Sequence, residues 1–209
     1  MSRKTDISYI IIQFKHYIDK MKIFNIVINE DDNTGMDTIS LVSSPAVGVN
    51  FLKFEEQKEI KKLSFDADKH IITGVVALAG IPIYRYDKEI GDYYVVFTSE
   101  VIEKMMIKYS KMNLNNSVDL QHNGKKVDGV IMFESYIYNK ERNIAPVEFG
   151  DIPDGSWIAS FKVENEELWN EIKSGNELNG FSLAGLFAFA EPENEEVDEL
   201  EQYIDEILK

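Results

Sequence analysis

The sequence contains no cysteine, and it has only three histidines among its 209 residues. The lack of cysteine excludes a disulfide framework, a thiolate nucleophile and any metal site built on cysteine. The histidines, His16, His70 and His122, are scattered and lack the paired spacing of a zinc motif, so we expect no metal and no other cofactor. Nucleophilic chemistry, if the protein has any, would therefore use a serine or a threonine.

Basic residues are few compared with acidic ones: 22 Lys and Arg stand against 37 Asp and Glu, a formal net charge of −15. Binding to phosphates needs clustered Lys and Arg, so this balance argues against nucleic acid as a partner. No apolar run reaches the roughly 18 residues of a membrane-spanning helix. Lys15, His16 and Asp19 interrupt the apolar patch near the N-terminus. We therefore expect a soluble protein without a signal peptide and without a membrane partner.

The pattern of apolar residues predicts many strands and few helices. The predicted strands cover residues 22–30, 37–42, 70–80, 92–97, 117–122, 126–139, 156–163 and 178–190. Helices are predicted over 99–112, with Ser99 as the N-cap, and from Asn165 to Gly175. Because the strands and helices do not alternate strictly, the pattern predicts an α+β fold around an antiparallel sheet or barrel.

The chain divides into three predicted segments. Residues 1–21 form an N-terminal extension that is mostly one amphipathic helix, residues 22–190 form the main domain, and residues 191–209 form an acidic tail. The tail holds nine carboxylates and one lysine, and its apolar positions from Val197 to Ile207 fall on one helical face. We expect this helix to dock either on its own domain or on a partner protein.

Ser182 is the candidate nucleophile. It lies between Gly180 and Gly185 in the segment GFSLAG, and flanking glycines let a backbone present its N–H groups, as an oxyanion hole requires. The spacing is not the G-x-S-x-G of α/β-hydrolases. Tight packing in an apolar strand also favours a serine between glycines, so a structural role stays open.

His122 is the candidate general base, because a histidine titrates near neutral pH. It ends a predicted strand directly before Asn123-Gly124, a pair that predicts a tight hairpin to the strand that follows. A side chain at this position can reach the end of a neighbouring strand. The alternative is a surface histidine beside a turn.

Six segments, in a fixed order, match one known family. They are ISLVSSPAVGVNFLKF (39–54), IPIYRYDKEIGDYYVVFTSEVIEKM (81–105), VDLQH (118–122), VIMFESYI (130–137), DGSWIASFKVENEELWNEIKSG (154–175) and NGFSLAG (179–185). The set resembles the XkdF-like phage prohead (capsid maturation) serine proteases. The resemblance implies an antiparallel β-barrel-like core wrapped by a few helices, as in herpesvirus and phage capsid proteases.

The same resemblance assigns roles to residues of this chain. It implies that His122 is the catalytic histidine and that Ser182 is the nucleophilic serine. Backbone N–H groups of Leu183, Ala184 and Gly185 would then hold the oxyanion. Herpesvirus relatives use a second histidine after the serine, and no histidine follows Ser182 here.

The third member of the site stays open at this point. Glu134 lies on an apolar strand, but a tight hairpin would place it about 30 Å from His122. SLVSSPA (40–46) resembles a strand that carries an acid after the serine in related capsid proteases, which suggests a circular permutation. The nearest acid is Asp37, although the aligned position holds Thr38. Either Asp37 completes the site, or a Ser-His dyad works with water.

The resemblance implies a serine endopeptidase that cleaves scaffold and capsid precursor proteins during phage prohead maturation, with cleavage of itself. It would act in the host cytoplasm, inside the prohead. Its partners would be the phage scaffold and major capsid proteins, and a second copy in a homodimer. The alternative is a non-catalytic capsid- or scaffold-binding protein of the same fold.

Overall fold

The computed structural model describes residues 22–29, 33–45, 63–66, 69–146, 149–174 and 178–191. The helix predicted in the extension 1–21 and the helix predicted in the tail lie outside these residues. The strands in chain order are β1 (Lys22–Val27), β2 (Gly35–Val42), β3 (Leu63–Asp66), β4 (Ile71–Ala77), β5 (Ile83–Asp87), β6 (Gly91–Val96), β7 (Val118–Leu120), β8 (Val130–Ile137), β9 (Trp157–Val163), β10 (Gly180–Leu186) and β11 (Ala188–Ala190). The helices are α1 (Ser99–Lys111) and α2 (Glu166–Ser174).

The strands form three sheets with the orders β11-β1-β6-β5, β10-β2-β7 and β3-β4-β9-β8. The predicted α+β class is confirmed. The predicted barrel is wrong, because the strands of the described ranges form open sheets, none of which closes on itself. Two pairs, β1 with β6 and β2 with β7, are parallel, so the sheets are also not purely antiparallel. The three sheets instead share one core between them.

The hairpin predicted at Asn123-Gly124 is wrong. A turn is present there, but β7 pairs with β2 and β8 pairs with β9, so the two strands belong to different sheets. The reason is burial: β8 places Val130 and Met132 in the core beside β9.

The helices predicted over 99–112 and from Asn165 are confirmed, and their N-caps fix where they begin. Thr98, not Ser99, caps α1, because its Oγ1 accepts a hydrogen bond from the N–H of Val101 at 3.3 Å. Asn165 caps α2 as predicted, by accepting from the N–H of Leu168 at 3.0 Å. Neither helix is long and apolar enough to cross a membrane, which holds for all helices in the described part of the chain.

The core contains side chains from all three sheets and both helices. Its largest fully buried members are Trp157, Trp169, Tyr109, Phe161 and Phe181. Phe161 of the third sheet packs on Phe181 of β10 with ring centroids 4.8 Å apart. This contact fixes β10, the strand that carries Ser182, against the rest of the domain.

The predicted strand 178–190 is two strands. It leaves the middle sheet after Leu186 and joins β1 as β11. Between them, Phe187 packs edge-on against Phe97 at 5.6 Å. The segment after Ser182 thus connects two sheets.

Candidate functional site

Three polar residues form a row across the middle sheet. In the strand register, Ser182 of β10 lies opposite Ser40 of β2, and Ser40 lies opposite Asp119 of β7. Register partners point to the same face of a sheet, so these side chains are neighbours. Ser40 is fully buried, Asp119 is 3% exposed and Ser182 is 9% exposed.

His122 folds back over this row from the turn that follows β7. Its ring Nδ1 lies 2.9 Å from the Oγ of Ser40. Gln121 and His122 have φ values of 52° and 56°, and the N–H of Asn123 donates to the carbonyl of Leu120 at 3.0 Å. Two successive positive φ values are typical of a mirror-image turn that favours glycine or asparagine. A histidine in this conformation costs about 1–3 kcal/mol, and such strain clusters at functional sites. His70, outside this site, has the same conformation with a φ of 53°.

Hydrogen bonds on both sides hold this turn in place. The Oδ2 of Asp119 accepts from the N–H of Gly124 at 2.8 Å. The N–H of Gln121 donates to the carbonyl of Leu41 at 2.9 Å, and the side-chain oxygen of Gln121 accepts from the N–H of Ser43 at 3.2 Å. The His122 backbone is therefore fixed to the end of β2.

Ser182 and His122 each lie beside Ser40, and no hydrogen bond joins the two. No side chain of the described ranges hydrogen-bonds the Oγ of Ser182, whereas His122 contacts Ser40. Directly opposite residues of an antiparallel pair have Cβ atoms about 4.5–5.5 Å apart. His122 therefore contacts the immediate neighbour of Ser182, and catalytic hydrogen bonds are commonly longer before substrate binds.

The predicted oxyanion residues lie at an irregularity in the β10–β2 pair. Ala184 pairs with Thr38 but Gly185 pairs with Met36, so the register shifts between Ala184 and Gly185. A Cβ on Gly185 would lie 2.1 Å from the carbonyl oxygen of Gly35, so only glycine allows β2 to approach here. Such shifts interrupt ladder hydrogen bonds and so can leave backbone N–H groups for another acceptor.

The same register shift leaves Asp37 without a partner on β10. Its side chain is exposed, and its carbonyl oxygen accepts from the Oγ of Ser117 at 2.9 Å. Asp37 is three residues from Ser40, about 10 Å along an extended strand, and it makes no contact with His122. The structure does not bring the acid predicted from the sequence to the histidine.

The other groups considered in the sequence have contacts elsewhere. His70 stacks on Trp169, with ring centroids 4.7 Å apart, and His16 lies outside the described residues. Glu134 accepts from the Oγ of Ser160 at 2.6 Å in the third sheet, which fits a structural role. Among the described residues, no group of three His, Asp or Glu side chains is placed to hold a metal ion.

A cavity of about 170 Å³ reaches Ser182 from the first sheet. Its lining is mostly apolar and aromatic, with Ile83, Tyr93, Val95 and Phe97 among its walls, and Arg85 is its charged member. Burial lowers the pKa of Arg85.

Sequence reasoning missed Ser40 and Asp119. The sequence contains no separate signal for Ser40 outside a matching segment, because the contact of Ser40 with His122 depends on how two distant strands pair. Asp119 carried a usable signal, because it is an acid three residues before the candidate histidine, within the same predicted strand 117–122.

Comparison with known proteins supports the resemblance. A family model described as "Putative phage serine protease XkdF" matches residues 56–191, about two thirds of the chain. The match includes Asp119, His122 and Ser182 and begins after β2. No curated protein and no solved structure matches the chain. On this match, the chain belongs to the XkdF family that this description names.

Proposed function

We propose that this protein is a serine endopeptidase that cleaves scaffold and capsid precursor proteins, and itself, during prohead maturation. The observation that supports this most is the position of His122, which a strained turn holds over the neighbour of Ser182. Membership of a phage serine protease family supports the reaction class. The choice of substrates rests on the resemblance alone.

Ser182 and His122 have separate roles in this proposal. When Nδ1–H of His122 donates to Ser40, Nε2 is left as the base. Ser182 Oγ forms a bond to the scissile carbonyl carbon while Nε2 takes the hydroxyl proton. Nε2 then returns that proton to the leaving amine as the C–N bond breaks, and water repeats the sequence on the acyl-enzyme.

The developing oxyanion would be held by backbone N–H groups of Leu183, Ala184 or Gly185. These residues follow the nucleophile directly and lie beside the register shift, where the ladder is interrupted. Backbone donors aimed at the developing charge are among the largest contributions to catalysis. The apolar cavity beside Ser182 offers space for an apolar side chain of the substrate.

Ser40 is the competing nucleophile, because it is the serine that contacts His122. It is fully buried in the middle strand of its sheet, so a peptide carbonyl has no path to its Oγ. Ser182 is more exposed and lies in the cavity wall. We therefore assign attack to Ser182 and orientation of the imidazole to Ser40.

The relation to herpesvirus and other phage capsid proteases is part of the proposal. It is supported by the position of the SLVSSPA segment (40–46). The first three residues of this segment are the last three of β2, which pairs directly with β10. Location inside the prohead, contact with scaffold and capsid proteins, and a homodimer follow from the same relation.

A non-catalytic scaffold-binding protein is the second candidate. The near-burial of Ser182 and the absence of a direct bond from Ser182 to His122 favour it. If this second candidate is right, the protein cleaves no substrate under any condition.

Co-expression of the full chain with the scaffold and capsid precursor of the same phage tests the proposal. We expect wild-type protein and Ser110→Ala, which changes an exposed helical serine, to shorten the substrates on a gel. Ser182→Ala should fold and leave them intact, with a loss of at least about a thousandfold in rate. Equal cleavage by folded Ser182→Ala, or no cleavage by wild type, would favour the alternatives.

A further inference from the structure

We infer that Asp119 is the acid of this site and that it acts on His122 through the hydroxyl of Ser40. This assignment rests on the proposed function, since it extends the same Ser-His pair. It makes Asp119 and Ser40 positioning residues and gives the site an acid other than Asp37.

The first observation is an unsatisfied carboxylate oxygen. Asp119 is 3% exposed, and its Oδ1 has no hydrogen-bond partner among the described residues. Its other oxygen accepts from the N–H of Gly124. Burying a carboxylate oxygen without a partner is costly, so such an atom calls for a functional explanation.

The second observation is the position of Asp119 in the row. It is the register partner of Ser40, and neighbouring strands are about 4.8 Å apart. In the proposed arrangement a rotation of the Asp119 side chain brings Oδ1 to the hydroxyl of Ser40, while the Ser40 Oγ keeps its contact with His122. Ser40 then donates to the carboxylate and accepts from Nδ1–H of His122, the ring atom that it already contacts.

This chain of hydrogen bonds has a clear chemical use. When His122 takes the proton of Ser182, the ring becomes positively charged, and a buried carboxylate nearby stabilises that charge. The carboxylate takes up no proton in this step. In the described part of the chain no Lys or Arg is paired with Asp119, so its negative charge is available to the imidazolium.

The test is phosphonylation of the full-length protein by a fluorophosphonate, with the maximal rate and the half-saturating concentration measured separately. Asp119→Asn should lower the maximal rate at least about tenfold and leave the half-saturating concentration nearly unchanged. Asp128→Asn, at an exposed position near the same turn, should behave as wild type.

A double variant separates catalysis from support of the turn. Because Asp119 acts through Ser40, Asp119→Asn combined with Ser40→Ala should lose no more than the more damaging single change. A merely structural Asp119 would give losses that multiply. If Asp119→Asn does not fold, Ser40→Ala, which leaves the bond to Gly124 in place, still tests the assignment: because Asp119 acts through Ser40, a wild-type maximal rate in Ser40→Ala overturns it.

The opposing outcomes are distinct. A wild-type rate in folded Asp119→Asn or in Ser40→Ala overturns the assignment, as does a loss confined to Asp37→Asn. If Ser182 is labelled in wild type, those results leave the proposed function standing. If wild type is not labelled at all, the proposed function fails and this assignment fails with it.

Discussion

At the scale of single residues, the site is marked by the backbone of His122. Its φ of 56° belongs to a region that glycine enters freely and other residues enter at a cost. His122 is exposed, and His70 has a similar φ of 53° in another turn, so it is the contact with Ser40, and not the φ value alone, that distinguishes His122. This conformation lets the ring reach Ser40. Stability therefore favours glycine at this position, whereas the proposed function needs the imidazole of histidine.

We therefore expect the usual order of glycine and alanine stability to be inverted at position 122. Both His122→Gly and His122→Ala should lose cleavage, since both lack the imidazole. His122→Gly should nevertheless be about 1 kcal/mol more stable to unfolding than His122→Ala, because only alanine is strained at positive φ. Urea unfolding of the two variants measures this difference.

Ser110 in α1 supplies the matched control, since it is exposed and helical. There Ser110→Gly should be about 1 kcal/mol less stable than Ser110→Ala. An alanine variant at position 122 that equals or exceeds the glycine variant in stability would contradict a strained turn.

The types of the reacting residues could be predicted from the sequence, but their partners could not. Ser182 was a candidate because of its flanking glycines and the family resemblance, and His122 because the sequence has only three histidines. Ser40 and Asp119 become relevant only when β2 lies between β10 and β7, a pairing between distant parts of the chain. Asp37 was favoured by nearness in sequence, which strand pairing overrides.

At the scale of elements, β2 organises the candidate site, because it is the central strand of its sheet and pairs with both β10, which carries Ser182, and β7, which leads to His122. Apolar periodicity located most strands and both helices. Apolar periodicity did not indicate which strands pair. It marks the apolar face of a strand, but several neighbouring strands could bury that face equally well. The prediction of a hairpin after β7 was wrong for this reason: the turn is present, but the two strands beside it do not pair with each other.

The close approach of β2 to β10 gives an element-scale prediction. Gly185→Ala places a Cβ 2.1 Å from the carbonyl oxygen of Gly35, so one strand must shift. We expect a loss of at least about 2 kcal/mol in the free energy of unfolding and a large loss of cleavage. Thermal unfolding and the gel assay measure these effects.

Gly91→Ala is the control, because its Cβ meets open space and only its φ of 85° is unfavourable. It should cost about 1 kcal/mol and leave cleavage unchanged. A Gly185→Ala protein as stable and active as Gly91→Ala would show that the approach of the two backbones is not needed.

At the scale of the whole molecule, three sheets surround one core and the site lies on the middle sheet. The α+β class followed from the mixture of strand and helix patterns. The barrel was expected by analogy, and closure depends on the pairing of distant edges, which no local pattern reports. The net charge of −15 also belongs to this scale, and from it we expect basic protein surfaces rather than nucleic acid as partners.

The most direct measurement of the central claim is the site at which a fluorophosphonate attaches to the full-length protein, read by intact mass and peptide mapping. We predict one adduct, on Ser182, that is absent from Ser182→Ala and forms far more slowly in His122→Ala. An adduct on Ser40 or on any other serine, or an undiminished adduct in Ser182→Ala, would contradict this prediction.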